Sequence, residues 1–403
     1  MRILYHHRTG SKDGQAVHIE ELVAALGRLG HEVIMVEPPV AAATGFGGDS
    51  GLIAWIRRHL PRAVGELLEL AYNVPTYLRL RRAFLAHRPD FLYERHNLYL
   101  LAGAWLKRRH KVPYLLEVNA PLFRERQAHG GLGLPALARL TEAWVWRQAD
   151  YLLPVTGVLA RIIEESGVPS ERVVVIPNGI DPERFRDFPP LDSAKRKLGL
   201  EGCFVLGFTG FVREWNRLDR VIDYVARPDN GACRLVVVGD GPAVPALKAR
   251  AKRLEVEERV RFVGVVDRDA VRDWVAAFDV ALLPAVTEYA SPLKLFEYLA
   301  LGRAIVAPSQ PNLCEILCHG ENAMLFDADS EAGLSQALDA MKSDAVRRAA
   351  LGRAAARSIE AAGLTWARNA SRVCALASTG EESETHLAAG ARKEPARGET
   401  STA

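Results

Sequence analysis

The sequence predicts an α/β protein built from two doubly wound, Rossmann-like domains facing a central cleft. Three observations carry that expectation. The 403 residues exceed what one hydrophobic core ordinarily serves, about 250–300 residues. Short apolar runs alternate with helix-length amphipathic stretches along most of the chain, the pattern of parallel βαβ units. Pro189-Pro190, inside a charged stretch from Asp187 to Gly199, separates these runs into two series and reads as a linker.

The first series opens with a strand at Arg2 to His6 and a polar, glycine-containing loop from Arg8 to Gln15. Ile19, Leu22, Val23 and Leu26 then recur at i, i+3, i+4 and i+7, one buried helical stripe. HEVIMVEPP (31–39) is the second strand, and the right-handed crossover makes the pair parallel. FLYER (91–95), YLLEVNA (114–120), YLLPVT (151–156) and RVVVIPNG (172–179) are expected strands, giving a first domain over 1–187. CFVLGFTG (203–210), RLVVVGDG (234–241), VRFVGVV (260–266), VALLPAV (280–286) and AIVAP (304–308) supply the second, over 200–364. Residues 365–377 read as a C-terminal helix positioned to return to the first domain, and 378–403 as a disordered tail too poor in apolar residues to offset its ordering entropy. Ligands of open α/β sheets bind at the carboxyl ends of the strands.

Composition excludes several classes. With 49% hydrophobic and 25% charged residues the chain is globular rather than disordered. Five dispersed cysteines do not make a disulfide scaffold, and fit a reducing cytosol. The amino terminus lacks the apolar stretch of a secretion signal, and no apolar run is long enough to span a bilayer. Between Gly51 and Lys111 basic residues strongly outnumber acidic ones, while the whole chain carries only +3. LIAWIRRHL, TYLRLRRAFL and AWLKRRHK mix apolar residues with arginine, as interfacial helices do. A cytoplasmic protein peripheral at the inner face of the cell membrane, held to anionic lipid through residues 51–111, is one expectation; solvated helix faces are the plain alternative. No nucleic-acid-binding module accompanies the charge.

The stretch EYASPLKLFEYLALGRAIVAP (288–308) is the most informative. Ser291-Pro292 predicts a helix start capped by the serine, with Leu293, Phe296, Ala300 and Leu301 as its apolar stripe. Such an end carries free amides and partial positive charge, and suits a phosphate. Lys294 adds a full charge there, and Glu297 shares its face; a solvated ion pair is the ordinary alternative. Upstream, GFTGFVREWNRLDRVI (207–222) places Arg213 in a turn after a strand, and VVVGDGP (236–242) adds another glycine turn.

The order IPNGID (176–181), GF-x-R-x-W, VVVGDGP, VRFVGVV, SPLKLFEYLALGRAIVAP resembles the retaining GT-B glycosyltransferases of family four, over most of residues 1–377. HHRTGSKDGQAVHIEELVAALGRLGHEV resembles that family's first glycine loop and helix. The resemblance implies a GT-B fold and transfer of a sugar from a nucleotide-diphosphate sugar to a hydroxyl of a carbohydrate or lipid-linked acceptor, with retention. It implies no metal and no cofactor besides that donor substrate, and a place in surface polysaccharide or glycolipid assembly. Donor binding falls to the second domain and acceptor binding to the first. Glu297 takes the position that binds the donor ribose, and Ser291, Pro292, Leu293 and Lys294 form the end that holds the diphosphate. Arg213 is the loop's basic residue, the backbone of Val263 and Gly264 holds the nucleobase, and the loop around Gly14 faces phosphates or acceptor.

Three positions depart from the family pattern. The first glutamate slot is Tyr289, with Glu288 one residue out of register. A lysine slot is Asn216, and an active-site histidine slot is Asn119. Glu288, Asn119 and His18 are therefore the catalytic candidates, with Glu117, Arg95 and His96 as further cleft residues. A nucleotide-sugar epimerase on the same fold, or a catalytically silent nucleotide-binding subunit, are the competing readings.

Other patterns carry less. Asp267-Arg268-Asp269 has metal-binding spacing but precedes a helix, where capping explains it. Cys314, Cys318 and His319 lack a second ligand pair for zinc and read as helix residues. The Gly10/Gly14 loop lacks the full dinucleotide-binding glycine pattern.

Overall fold

Alternate residues of the central strands pack into two different cores, so both faces of each sheet are buried, as all-parallel strands require. In the first strand, Ile3 and Tyr5 pack with Ile19, Leu22 and Leu26, whereas Leu4 packs with Leu92, Leu100 and Leu116. The computed structural model describes residues 1–10, 14–38, 61–128 and 130–390, with side chains to residue 378.

The first sheet contains β1 (Arg2–His6), β2 (Glu32–Val36), β3 (Phe91–Arg95), β4 (Tyr114–Val118) and β5 (Tyr151–Pro154), ordered β2-β1-β3-β4-β5 with every pairing parallel. Its helices are α1 (Gly14–Arg28), α2 (Arg62–Ala71), α3 (Asn73–His87), α4 (Ala102–His110), α5 (Leu122–Ala128), α6 (Pro135–Gln148) and α7 (Gly157–Glu165). The second half begins with α8 (Leu191–Leu198). Its sheet is ordered β11-β10-β9-β6-β7-β8, again parallel, from β6 (Phe204–Thr209), β7 (Cys233–Val238), β8 (Val260–Gly264), β9 (Val280–Leu282), β10 (Ala304–Pro308) and β11 (Met324–Phe326). Around it lie α9 (Leu218–Ala226), α10 (Val244–Arg253), α11 (Arg268–Ala276), α12 (Leu293–Ala300), α13 (Pro311–Cys314), α14 (Gly333–Ser343) and α15 (Ala345–Ala362). Last comes α16 (Trp366–Gly390). These are two Rossmann-like α/β units, as the sequence predicts.

Four details differ from expectation. RVVVIPNG is not a regular strand: it runs beside β5, with Val174 and Ile176 N–H donating to Leu152 and Pro154 carbonyls at 2.9 Å. The ladder ends there because the next N–H in its alternate register, that of Asn178, donates to Ser291 Oγ instead. The linker is shorter than Asp187 to Gly199, since α8 occupies most of it and Ala194 and Leu200 are buried with Val205 and Phe278. A sixth strand, β11, was not anticipated; three residues give too little alternation to read. Helix α16 runs on to Gly390, into the span expected as a tail. Once its first turns dock, adding helix-forming residues costs no new nucleation. Residues 391–403 of the expected tail lie outside the described residues.

The start of α16 joins the first half's core, where Trp366, Ala370, Val373 and Ala377 meet Ile3, Tyr5, Ile19 and Leu22. The chain therefore crosses between the halves twice, and the crossings are tied together by Ile180 N–H to Leu364 O at 3.0 Å and Trp366 N–H to Ile180 O at 3.2 Å. Among the described residues no helix is long and apolar enough to cross a membrane.

Candidate functional site

The carboxyl edge of the second sheet is built from backbone. Gly210 after β6, Gly239 after β7 and Gly264 at the end of β8 all have positive φ, and Gly239 N–H donates to Gly264 O at 2.8 Å. A Cβ on Gly239 would stand 2.1 Å from Gly210 O, and one on Gly241 2.2 Å from Val212 O. Only glycine permits these turns to nest so closely. The half-buried Val263 lies beside this nest.

Helix α12 starts at the same edge. Ser291 does not cap it, a correction with a simple cause: Pro292 itself occupies the N-cap position, so the serine falls one residue early. Its hydroxyl instead accepts from Asn178 N–H at 3.4 Å, while the Asn178 amide donates to Ser291 O, tying the loop to the end of the first half. No side chain caps the α12 amides.

Lys294 reaches from this first turn across the strand end. Its Nζ lies 3.5 Å from the Phe208 ring centroid, and a Cβ on Gly210 would be 3.3 Å from it. Among the described residues it forms no ion pair, so the pairing with Glu297 allowed by the spacing is not made. Burial pushes its ammonium down to about 7, against the attraction of Glu297. Burial likewise raises the Glu297 carboxyl, opposed by Arg268, Lys294 and Arg184.

Glu297 opens on a small recess between the halves, lined also by Val17, Glu21, Asp181, Arg268 and Trp366. Buried Glu21 on α1 receives Arg268 at 2.6 Å and Arg184 at 2.7 Å. Gly14, where α1 begins, is so placed that a Cβ there would touch Leu293 Cδ1 at 3.6 Å. The fold thus brings Gly14, Leu293, Lys294 and Glu297 together.

Arg213 is held differently from expectation. Its guanidinium sits 4.6 Å from the Phe211 ring centroid and 4.8 Å from that of Trp215. Asn216 spends its carbonyl on Arg213 N–H at 2.8 Å, closing the turn.

The catalytic candidates of the first half converge on one carboxylate. Glu117, buried at the end of β4, receives His18 Nε2 at 3.0 Å, Tyr93 OH at 2.8 Å, the Arg95 guanidinium and the Asn119 amide. Burial works against its charge, yet His18 and Arg95 together hold it well below the usual carboxylate range. His18 is 5% exposed, its ring set edge-on to Trp366 at 4.8 Å. His96 donates in a separate pair with Glu142 at 3.1 Å.

Glu288 is exposed. Tyr289 fills the neighbouring slot as a tie between the halves: its carbonyl accepts from Thr156 Oγ1 at 2.9 Å, and its side chain hydrogen-bonds with Glu125. A second tie is Glu315, whose carboxylate accepts from Gly157 N–H at 2.9 Å at the start of α7. Neither Glu315 nor Glu21 is marked by any local motif, so both escaped the sequence reading.

Among the described residues no group of three or more His, Cys, Asp or Glu is arranged to hold a metal ion. Asp267 stands at the α11 N-cap without a side-chain hydrogen bond to the helix, so the capping explanation is corrected, while Asp269 pairs with Arg184 at 3.2 Å. Cys314 and Cys318 are free and exposed. Only Cys314 lies in a helix; Cys318 and His319 follow it in a loop whose turn the His319 ring helps to close.

Residues 12–184 match the family model described as Glycosyltransferase Family 4, and residues 203–344 the one described as Glycosyl transferases group 1. A D-inositol 3-phosphate glycosyltransferase of Streptomyces avermitilis is 26% identical over 91% of this chain and 83% of its own length. A 2-deoxystreptamine glucosyltransferase of Streptomyces kanamyceticus is 26% identical over 74% of this chain and 82% of its own. Among solved structures, Anabaena HepE in complex with UDP superimposes with a TM-score of 0.73 at 18% identity, over 94% of this chain and 100% of that one.

Proposed function

Because the chain is a GT-B glycosyltransferase of family four, we propose that it moves a glycosyl group from a nucleotide-diphosphate sugar to an acceptor hydroxyl with retention at the anomeric carbon. The observation that carries this reading is Lys294: a buried ammonium that forms no ion pair among the described residues, at an uncapped helix start, against a nest of glycine turns. A diphosphate supplies the missing charge. As the glycosidic bond breaks, negative charge grows on the departing phosphate, and a fixed cation with free amides stabilises that change more than the ground state. Glu297 is suited to the ribose hydroxyls and the Val263–Gly264 backbone to the base. Arg213 and Asn216 shape the loop beside the diphosphate, and the Gly14 loop closes over it. UDP in the similarly folded HepE makes a uridine nucleotide the first donor to test.

Glu288 is exposed and Tyr289 carries no carboxylate, so the reading assigns no protein nucleophile; the leaving phosphate accepts the acceptor's proton. Asn119 and His18, both fixed on Glu117, belong to the floor of the acceptor side. The two Streptomyces relatives are named for D-inositol 3-phosphate and for 2-deoxystreptamine, which favours a small polar acceptor, phosphorylated in the first case. A lipid-linked acceptor in surface polysaccharide or glycolipid assembly is the second reading, supported by exposed Leu67, Leu68, Val74 and Leu78 on α2 and α3 beside Arg81, Arg82 and Arg88. These suit an anionic membrane surface. Residues 51–60 of the expected basic segment lie outside the described residues.

The test is a thermal-shift panel of nucleoside diphosphates, since a ligand of the folded state alone raises its stability. A preferred diphosphate that also appears as product with an acceptor, together with NMR of the product anomer, supports the reading. Stabilisation by none of the panel overturns it. Sedimentation with phosphatidylglycerol vesicles decides between the two acceptor settings.

A further inference from the structure

We propose that Glu21 is a positioning residue for the donor, which occupies the guanidinium of Arg268 and so leaves Glu297 free for the donor ribose; this rests on the transferase reading and gives the first half a part in donor binding. Glu21 is buried on α1, the helix that Gly14 opens. A carboxylate buried without partners is costly. Both of its partners come from outside the first half's sheet. Arg268 Nη2, at 2.6 Å, belongs to the first residue of α11, and Arg184 Nη1, at 2.7 Å, to the segment that joins the halves. Helix α11 in turn follows β8, whose end carries Val263 and Gly264.

Arg268 also faces Glu297. The two side chains line one recess, and of the cations acting on the Glu297 carboxyl Arg268 acts most strongly. Among the described residues Glu297 nevertheless makes no ion pair. Arg268 is turned to Glu21 instead, and the Glu297 oxygens stay open to the recess.

Without the Glu21 charge the two arginines would fare differently. Arg184 keeps Asp269 at 3.2 Å. Arg268 keeps only Glu20 at 3.7 Å, an acid that is 68% exposed, so solvent weakens its pull. Asp181, another acid of the recess, is already engaged by Arg28 at 3.2 Å. The half-buried Glu297 is then the carboxylate left in the recess for a released guanidinium, and such a pair forms two parallel hydrogen bonds. A guanidinium bound there competes with the ribose hydroxyls for the same oxygens. Because α1 and α11 belong to different halves, approach of the first half is what draws Arg268 away and opens Glu297 to the sugar nucleotide.

The experiment uses the full chain and calorimetric dissociation constants for two probes, UDP and dideoxyuridine diphosphate, which lacks both ribose hydroxyls. In Glu21→Gln the affinity for UDP is expected to fall about tenfold, the range for a lost hydrogen bond to a charged group, and that for the dideoxy analogue by less than about twofold. Adding Arg268→Ala to this variant is expected to return UDP affinity to within about threefold of wild type, a reversal that a merely structural role of Glu21 does not produce. Glu21→Asp, which draws the carboxylate back by one methylene, gives a smaller loss with the same reversal and serves if the glutamine variant does not fold. An unchanged UDP affinity in Glu21→Gln, equal losses for the two nucleotides, or a loss that Arg268→Ala does not reverse overturns the proposal. Equal binding of UDP and the dideoxy analogue by wild type would mean that Glu297 does not hold the ribose, and overturns it too. Binding of neither nucleotide by wild type would sink the nucleotide reading itself, a result distinct from UDP binding that ignores Glu21.

Discussion

The carboxyl edges of the two sheets solve the same problem in opposite ways. At the first, buried side chains satisfy one another: Glu117 gathers His18, Tyr93, Arg95 and Asn119, and Glu94 gathers His6 and Tyr114. At the second, glycine turns pack backbone on backbone, and Lys294 forms no ion pair among the described residues. The carboxylates of the first edge thus have their partners within the protein, whereas the ammonium of the second has no ionic partner among the described residues. Stability and affinity should therefore part company between them.

The largest effect is expected at the first edge. Glu117→Ala strands a buried guanidinium, an imidazole and a phenol, and breaking one partner out of a buried charged network costs about 3–5 kcal/mol. Chemical unfolding should show that loss, while UDP affinity of the folded variant stays within about twofold. A loss below about 1 kcal/mol would mean that the network is not the support the geometry describes.

Next comes the second edge, with the signs reversed. Lys294→Met removes an unpaired buried ammonium and keeps most of its volume, so the free protein should melt no lower than wild type. Its UDP affinity should fall by about 1–3 kcal/mol, the loss of a charged hydrogen bond, measured by calorimetry. Unchanged affinity would remove the lysine from the donor site.

The same lysine makes the contrast depend on pH. Its folded value is about 7, against an ordinary 10.5. Between these values the unfolded chain holds a proton that the free folded protein lacks, so this group's contribution to stability increases with rising pH across that window. A bound diphosphate favours the charged form, so binding above about pH 7 takes up a proton and weakens as pH rises, by at most about tenfold per unit. Calorimetry of UDP binding in two buffers of different ionisation enthalpy reads that uptake directly. Equal heats at pH 8 would show that binding takes up no proton and that Lys294 does not change its charge on meeting the diphosphate.

How much of this was readable in the sequence follows from the range of the forces involved. Periodicity is local, and it placed β1, α1 and β2 because each pattern is complete within a few turns; on α12 it found Phe296 but missed Leu295, Tyr298 and Leu299, which form the buried face in place of the half-buried Leu293 and Ala300. Spacing put Lys294 and Glu297 on one helix face, and only the family resemblance added Gly14 to them. Ser291 was misread as a cap because a shift of one residue moves its hydroxyl off the helix and onto Asn178. Charge density hid α8 behind the appearance of a linker, although Ala194 lies buried within it. The partners of His18 and Glu21 were beyond local reading altogether. Trp366 and Arg268 lie far downstream and meet α1 only because the chain crosses back between the halves.

The smallest effect is expected at Arg213, and it sharpens the comparison most. From sequence alone this arginine and Lys294 look equivalent, two cations at strand ends beside a diphosphate. In the structure Arg213 is exposed and already rests against Phe211 and Trp215, contacts worth about 0.5–1 kcal/mol at an accessible site. Turning toward a ligand would sacrifice them, and water already solvates its charge. Arg213→Ala should therefore lower UDP affinity by no more than about 1 kcal/mol, with a change in Trp215 fluorescence as the stack is lost. A loss as large as that of Lys294→Met would mean that the loop reorganises around the donor, and that the second edge is completed by two cations rather than one.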